Sequence, residues 1–223
     1  MGDERAWGPA ADRLGQAAAA DGEPTRWFEE LWSAAVRDEM DTPWDREGPY
    51  PAVAEVVDAQ GDGGGRRAVV IGAGLGHDAE HLAARGWVTT AFDVSPSAVE
   101  LARGRHPGSA VDYRVADLLA LPDDLRGAFD LVLEVFTVQA LTPAVREEAA
   151  AGVRALLAPG GTLLACQIAR EPGESPQDGP PWLLDEAEMA VFASGDVTLE
   201  GIDRAPLPND RTLMRATLRR ARS

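Results

Sequence analysis

Three glycines, a histidine and a distant carboxylate carry the first chemical signal in this chain. The segment Ala68-Val-Val-Ile-Gly72-Ala73-Gly74-Leu-Gly76-His77-Asp78 is a short apolar run, a glycine loop and then a stretch of helical spacing. Glycine lets the backbone turn tightly and lets a ligand come close, and a helix beginning after such a turn offers it free N–H groups. Asp93 lies 21 residues after Gly72, at the end of the next apolar run. A carboxylate there can accept both hydroxyls of a ribose, so the pattern points to an adenosine-containing ligand. The competing role for Asp93 is helix capping, because a helix is predicted shortly after it.

A dinucleotide and S-adenosylmethionine both fit this pattern. His77 stands where a dinucleotide fingerprint places its third glycine, which leaves little room for a pyrophosphate. A third run ends in Val115-Ala116-Asp117-Leu118, which puts an acid where an adenine amino group would meet the sheet edge. Phe129-Asp-Leu-Val-Leu-Glu134-Val-Phe and Leu156-Leu-Ala-Pro-Gly-Gly-Thr-Leu163 follow.

In combination these segments resemble the class I S-adenosylmethionine-dependent methyltransferases, over a span from about Ala68 to Leu218. The resemblance implies S-adenosyl-L-methionine as cofactor, with Gly72, Ala73, Gly74 and Gly76 along its methionine portion. It implies Asp93 on the ribose, Val94 beside the adenine, Asp117 on the adenine amino group and the Leu118 backbone at the ring. Glu134, after the fourth strand, would face the methionine end and the substrate. A turn role for Asp117 and a solvated strand end for Glu134 are the alternatives.

These residues need a scaffold that brings strand ends together, and the pattern supplies one. Apolar runs at Ala68–Ile71, Val88–Phe92, Val111–Val115, Phe129–Leu133 and Gly161–Ile168 read as buried strands. Helical stretches at His77–Arg85, Pro96–Arg103 and Pro143–Leu157 separate them, Ser95 being a predicted N-cap with Pro96 at the first helical position. Asp185–Ala193 reads as a further helix, and Val197–Ile202 and Thr212–Leu218 alternate like terminal antiparallel strands. The expected fold is α/β: a doubly wound, seven-stranded, mostly parallel Rossmann-like sheet with an antiparallel C-terminal strand and an N-terminal helical cover.

Residues 1–25 are Ala-rich and polar and read as a flexible or frayed lead-in. Residues 26–223 read as one methyltransferase domain, with 26–60 as cover and 66–223 as core. Within the cover, Trp27, Phe28, Leu31, Trp32, Ala35 and Val36 recur at helical spacing as far as Asp41. Thr42-Pro43-Trp44-Asp45 reads as an ordered loop, and a short helix is predicted over Tyr50–Asp58. The Arg170–Pro181 stretch reads as a surface loop.

Composition narrows the function classes. The chain has 223 residues, 45% hydrophobic and 26% charged, which is enough for a full core in one domain. With 21 basic against 37 acidic residues the formal charge is −16, which argues against wrapping nucleic acid or coating an anionic membrane. All the basic residues are Arg, as expected from GC-rich coding, so an isolated Arg means little. The single cysteine, Cys166, leaves no disulfide framework, and no apolar run is long enough to span a bilayer. The first residues do not read as a signal peptide, so the expectation is a cytoplasmic protein acting on a small molecule, without a metal.

The N-terminal residues narrow the resemblance. Trp27-Phe-Glu-Glu-Leu-Trp32, then Asp41-Thr-Pro-Trp44-Asp45-Arg46-Glu-Gly48, and Gly76-His77-Asp78 are similar to the thiopurine and thiol S-methyltransferase branch. There the segment covers the cofactor, so Trp32 and Trp44 are implied cofactor contacts, by cation–π attraction to a sulfonium. Trp27 and Trp32 equally suit a plain core role. The chain departs from the branch at Glu134-Val-Phe-Thr-Val-Gln139, where a Cys- and aromatic-containing stretch is expected. A thiol of lowered pKa needs no strong base, whereas an alcohol or amine does, with Glu134 the leading catalytic residue and His77 the second. The expected activity is methyl transfer to a small-molecule acceptor, a thiol or thiopurine-like sulfur first among them. The alternatives are O- or N-methylation of a secondary metabolite, a non-catalytic adenosine-ligand-binding protein, and a nicotinamide dehydrogenase.

Overall fold

The computed structural model describes residues 8–39, 44–176, 179–207 and 210–222. Residues 1–7 of the expected lead-in, residues 40–41 at the end of the expected helix, Thr42 and Pro43 of the expected loop, and residues 177–178 of the 170–181 loop lie outside these.

Seven strands form one sheet in the order β3-β2-β1-β4-β5-β7-β6. They are β1 (Arg67–Ile71), β2 (Val88–Asp93), β3 (Asp112–Val115), β4 (Phe129–Val135), β5 (Leu157–Ile168), β6 (Val197–Pro206) and β7 (Thr212–Arg220). The first five pair in parallel, and β7 runs antiparallel to both β5 and β6. The expected topology therefore holds. The central strands are continuous apolar runs because both faces of the sheet are covered. On one face Val70, Leu131, Leu133 and Cys166 pack with Val53, Leu82 and Val99. On the other, Val69, Ile71, Val132 and Ala165 pack with Ala149, Val153 and Leu156.

The helices are α1 (Gly8–Ala20), α2 (Arg26–Val36), α3 (Pro51–Ala59), α4 (His77–Ala84), α5 (Pro96–Arg105) and α6 (Arg146–Leu156). Ser95 caps α5, its side chain accepting from the Ala98 N–H at 3.1 Å. The Asp185–Ala193 region departs from expectation and holds only a 3-10 turn over Glu188–Phe192. Its start is closed by a reciprocal pair, with the Asp185 N–H donating to Glu188 and the Glu188 N–H to Asp185, both at 2.9 Å. Such a pair fixes one tight turn without requiring more.

The N-terminal segment also differs from a frayed lead-in. α1 docks through Ala11 and Ala18, both buried against Trp27, Leu31 and Ala140. Small side chains allow that close approach while giving little amphipathic signal. α2 is tied down by Glu29, whose carboxylate accepts from the Ser95 and Ser97 hydroxyls at 2.6 and 2.7 Å and from the Ser97 N–H at 3.2 Å. An anion is favoured there because the first turn of α5 presents unpaired N–H groups.

Candidate functional site

The parallel strands end on one edge, and a cavity opens there beneath α2 and the segment that follows it. Its floor is the glycine loop and the ends of β2, β3 and β4. Its roof is Thr25, Phe28, Trp32, Trp44 and Arg46. Of the candidate site residues, Gly72, Ala73, Gly74, His77, Asp93, Val94, Asp117, Leu118, Trp32 and Trp44 all line it. The structure thus brings together residues spread over almost ninety positions of chain.

Gly72 and Gly74 have φ of 60° and 50°, a region that suits glycine. A side chain on Gly72 would collide with Thr137, its Cβ falling 2.5 Å from the Thr137 hydroxyl oxygen. Gly76 departs from expectation: it does not line the cavity. Its φ is 85° and a Cβ there would lie 2.2 Å from the Tyr113 hydroxyl, so its requirement is internal packing at the start of α4.

Asp93 is buried at 6% exposure. One carboxylate oxygen accepts from the Ser95 N–H and the other from the Gly74 N–H, each at 3.0 Å. Burial pushes this carboxyl up to about 6, with Glu29 adding to the rise against the backbone donors. It serves the loop and the cavity at once. Asp117 likewise has two aspects, closing a turn with the Leu119 N–H at 2.8 Å while lining the cavity.

Glu134 corrects a second expectation. Its side chain is 0% exposed and does not line the cavity. One oxygen accepts from the Thr137 and Val138 N–H groups at 2.8 Å each, and the other meets the Gln167 amide. Glu134 is the last but one residue of β4, and its side chain turns into the interior instead of the cavity. Burial pushes the carboxyl up to about 8. A role as base toward a substrate does not fit this placement.

His77, the first residue of α4, does line the cavity. Burial lowers its pKa, with Arg46, His106 and Arg105 adding to the effect, so the ring is neutral near pH 7. Its Nε2 is buried and has no hydrogen-bond partner among the described residues. His106 stacks edge-on at 5.7 Å.

Arg46 and Asp78 are among the site components that the sequence reading missed. Arg46 projects into the cavity roof and donates to Asp78, which is 7% exposed and also accepts from the Tyr50 N–H at 2.6 Å. Asp78 therefore anchors the segment that carries both Arg46 and Trp44. An acid in the first turn of α4 was visible in the sequence, but the pairing spans 32 residues and was not. The aromatic roof is compact: Trp44 lies 5.6 Å from Trp32, 6.2 Å from Phe28 and 6.0 Å from Trp27. Trp32 both packs on Leu75 and Ala98 and lines the cavity, whereas Trp27 is core alone.

A methyltransferase-domain family matches residues 68–161. A ubiquinone biosynthesis O-methyltransferase of Xanthomonas axonopodis pv. citri is 33% identical over 58% of this chain and 57% of its own length. This chain thus spans a little over half of such relatives. A thiocyanate methyltransferase of Brassica oleracea is 29% identical over 76% of this chain and 70% of its own. Among solved structures, one from work on converting a disulfide into a thioacetal during echinomycin biosynthesis superposes with a TM-score of 0.72. It is 22% identical and covers 87% of this chain and 92% of that one. The N-methyltransferase NodS of Bradyrhizobium japonicum, solved with S-adenosylhomocysteine, gives 0.66 at 19% identity, covering 86% and 98%. The chain resembles S-adenosylmethionine-dependent methyltransferases in sequence and has their fold. No helix among the described residues is long and apolar enough to cross a membrane.

Proposed function

We propose that this protein is an S-adenosylmethionine-dependent methyltransferase acting on a small-molecule nucleophile, a thiol first among the acceptors. On this reading residues 26–223 are its catalytic domain and 26–60 the cover. The observation that carries it is the convergence of Asp93, the Gly72–Gly74 turn, Arg46 and the Phe28–Trp32–Trp44 roof on one cavity. The residues fit the cofactor: a carboxylate for the ribose, a backbone without side chains for close approach, aromatic faces for a sulfonium and a guanidinium for an α-carboxylate.

When bound, S-adenosylmethionine supplies an electrophilic methyl group, so the protein has to orient the nucleophile and exclude water. The aromatic roof excludes water. Of the three cavity carboxylates, Asp78 is committed to Arg46 and Tyr50, Asp93 to two backbone N–H groups and Asp117 to the Leu119 N–H. None is disposed to take a proton from an alcohol. A thiol, with an ordinary pKa of about 8.5, is already a few per cent thiolate at pH 7 without a base, whereas an alcohol is not, which favours sulfur as the acceptor atom. O- or N-methylation is the second reading, favoured by the neutral His77 imidazole, whose Nε2 has no hydrogen-bond partner among the described residues and would hold the acceptor's proton.

Calorimetric titration with S-adenosylhomocysteine, with NADH as control, is expected to show micromolar binding of the first and none of the second. Binding of NADH alone would overturn the proposal. His77→Ala then separates the two acceptor readings. Turnover of thiols should stay within about threefold, while turnover of any alcohol acceptor should fall about 100-fold. An equal loss for both would assign His77 to cofactor binding.

A further inference from the structure

We propose that Glu134 is a positioning residue: its carboxyl group, held between Gln167 of β5 and two backbone N–H groups, sets the turn at Phe136 that walls the cofactor cavity. The turn is an unusual one. Phe136 has φ of 60°, in the left-handed region that side chains other than glycine rarely adopt. That conformation brings the Thr137 and Val138 N–H groups round onto one Glu134 oxygen, each at 2.8 Å. The Phe136 N–H is held separately, by the Cys166 carbonyl at 2.9 Å.

What the turn presents is cavity wall. Val135, Phe136 and Thr137 all line it. The Thr137 hydroxyl donates to the Ile71 carbonyl at 3.2 Å and fills the space that a side chain on Gly72 would need. The Phe136 ring meets Tyr50 edge-on at 4.9 Å, and Tyr50 belongs to the segment that Asp78 anchors. Displacing the turn would therefore disturb the glycine loop on one side and the cover on the other.

The environment of Glu134 suits an uncharged carboxyl group. It is fully buried, and burial raises its pKa to about 8. The Gln167 side-chain oxygen is buried and has no hydrogen-bond partner among the described residues. Which end of a glutamine amide carries nitrogen is an assignment, and with the amide reversed that oxygen would accept from a protonated Glu134. A carboxylic acid and a primary amide have nearly the same shape. Glutamine at 134 can accept from the two N–H groups with its oxygen and donate to Gln167 with its nitrogen.

The test uses Glu134→Gln and Glu134→Ala in the full chain, read by amide hydrogen exchange at Thr137 and Val138 and by titration with S-adenosylhomocysteine. Glu134→Gln should keep protection and affinity within about threefold of wild type, whereas Glu134→Ala should lose about 100-fold protection and at least tenfold affinity. Unchanged protection in the alanine variant would overturn the proposal. So would a glutamine variant that retains protection and affinity but loses methyl transfer to thiophenol, since that outcome makes Glu134 a catalytic group. If the alanine variant does not fold, Gln167→Ala replaces it, with about tenfold loss of protection expected at the same two amides and no loss overturning the proposal. The affinity arm rests on the methyltransferase reading and the exchange arm does not. A wild type that ignores S-adenosylhomocysteine would sink that reading and leave the turn still testable.

Discussion

Replacing Asp93 with alanine is expected to weaken S-adenosylhomocysteine binding at least about 100-fold while cooperative unfolding persists. Two ribose hydroxyls donating to a carboxylate are worth about 1.5–3 kcal/mol each, and 1.4 kcal/mol is a factor of ten. The charge matters as much as the shape. In the free protein burial holds this carboxyl at about 6, above its ordinary 3.8. Its ionised form accepts the hydroxyls, so affinity should be full above pH 6 and fall about tenfold per unit below it. The Glu29 carboxylate, facing Asp93 from α2, works in the same direction by raising the Asp93 pKa, while the Gly74, Val94 and Ser95 N–H groups oppose it. Stability runs the other way. A raised pKa means that stability is full below the unfolded value and is lost as pH rises through 6, so at pH 7 the ionised Asp93 is a burden on the fold. Asp93→Asn should therefore unfold at the same temperature or higher at pH 7, bind weakly, and show no pH dependence near 6. A calorimetric pH series on the two proteins checks this, and undiminished affinity in the asparagine variant would remove Asp93 from the ribose.

The contrast between Asp93 and Glu134 shows what a sequence discloses about such a site. Asp93 was legible because the information is local: a strand, a glycine loop before it and a helix after it fix which way the carboxylate faces. Glu134 has the same motif status, yet its direction depends on a partner on β5. Leu131 and Leu133 face one core layer and Val132 the other, so periodicity puts Glu134 on the Val132 side. Because both faces are buried, that does not say whether the carboxyl turns toward the cavity or into the core. Gln167 decides it, and its contact spans 33 residues. Gly76 is a related case, since a glycine required by a left-handed turn and a tyrosine hydroxyl looks identical to one required by a ligand. The sheet, by contrast, was readable because its central strands are continuous apolar runs between turn residues and its last two strands alternate. The cover was half readable. Helical spacing of Trp27, Leu31 and Trp32 gave α2, while the Glu29 attachment to α5, 66 and 68 residues away, left no sequence trace.

Asp78→Ala should be the single change that most damages the anchoring of the cover to the core. It leaves the Tyr50 N–H without a partner and the Arg46 guanidinium without a counter-charge beside an apolar roof. Breaking a buried pair costs about 3–5 kcal/mol. Arg46 is 32% exposed, which places the expected loss somewhat below that range, at about 2–3 kcal/mol in urea unfolding. Asp78→Asn paired with Arg46→Met removes both charges and keeps a side-chain acceptor for Tyr50, so it should recover much of that stability. It should not recover binding, if the Arg46 charge meets the carboxylate of the cofactor. The two effects separate by choice of ligand: methylthioadenosine keeps the adenosine and lacks the amino-acid end. Arg46→Met is expected to weaken S-adenosylhomocysteine about tenfold or more and to leave methylthioadenosine within about twofold, because only the former offers a carboxylate to a guanidinium. Equal weakening of both ligands would mean that Arg46 acts by holding Trp44 and the roof in place. Additive stability losses for the two single variants would mean that the pair is no pair at all, since contacting charges in one network couple by about 0.5 kcal/mol or more.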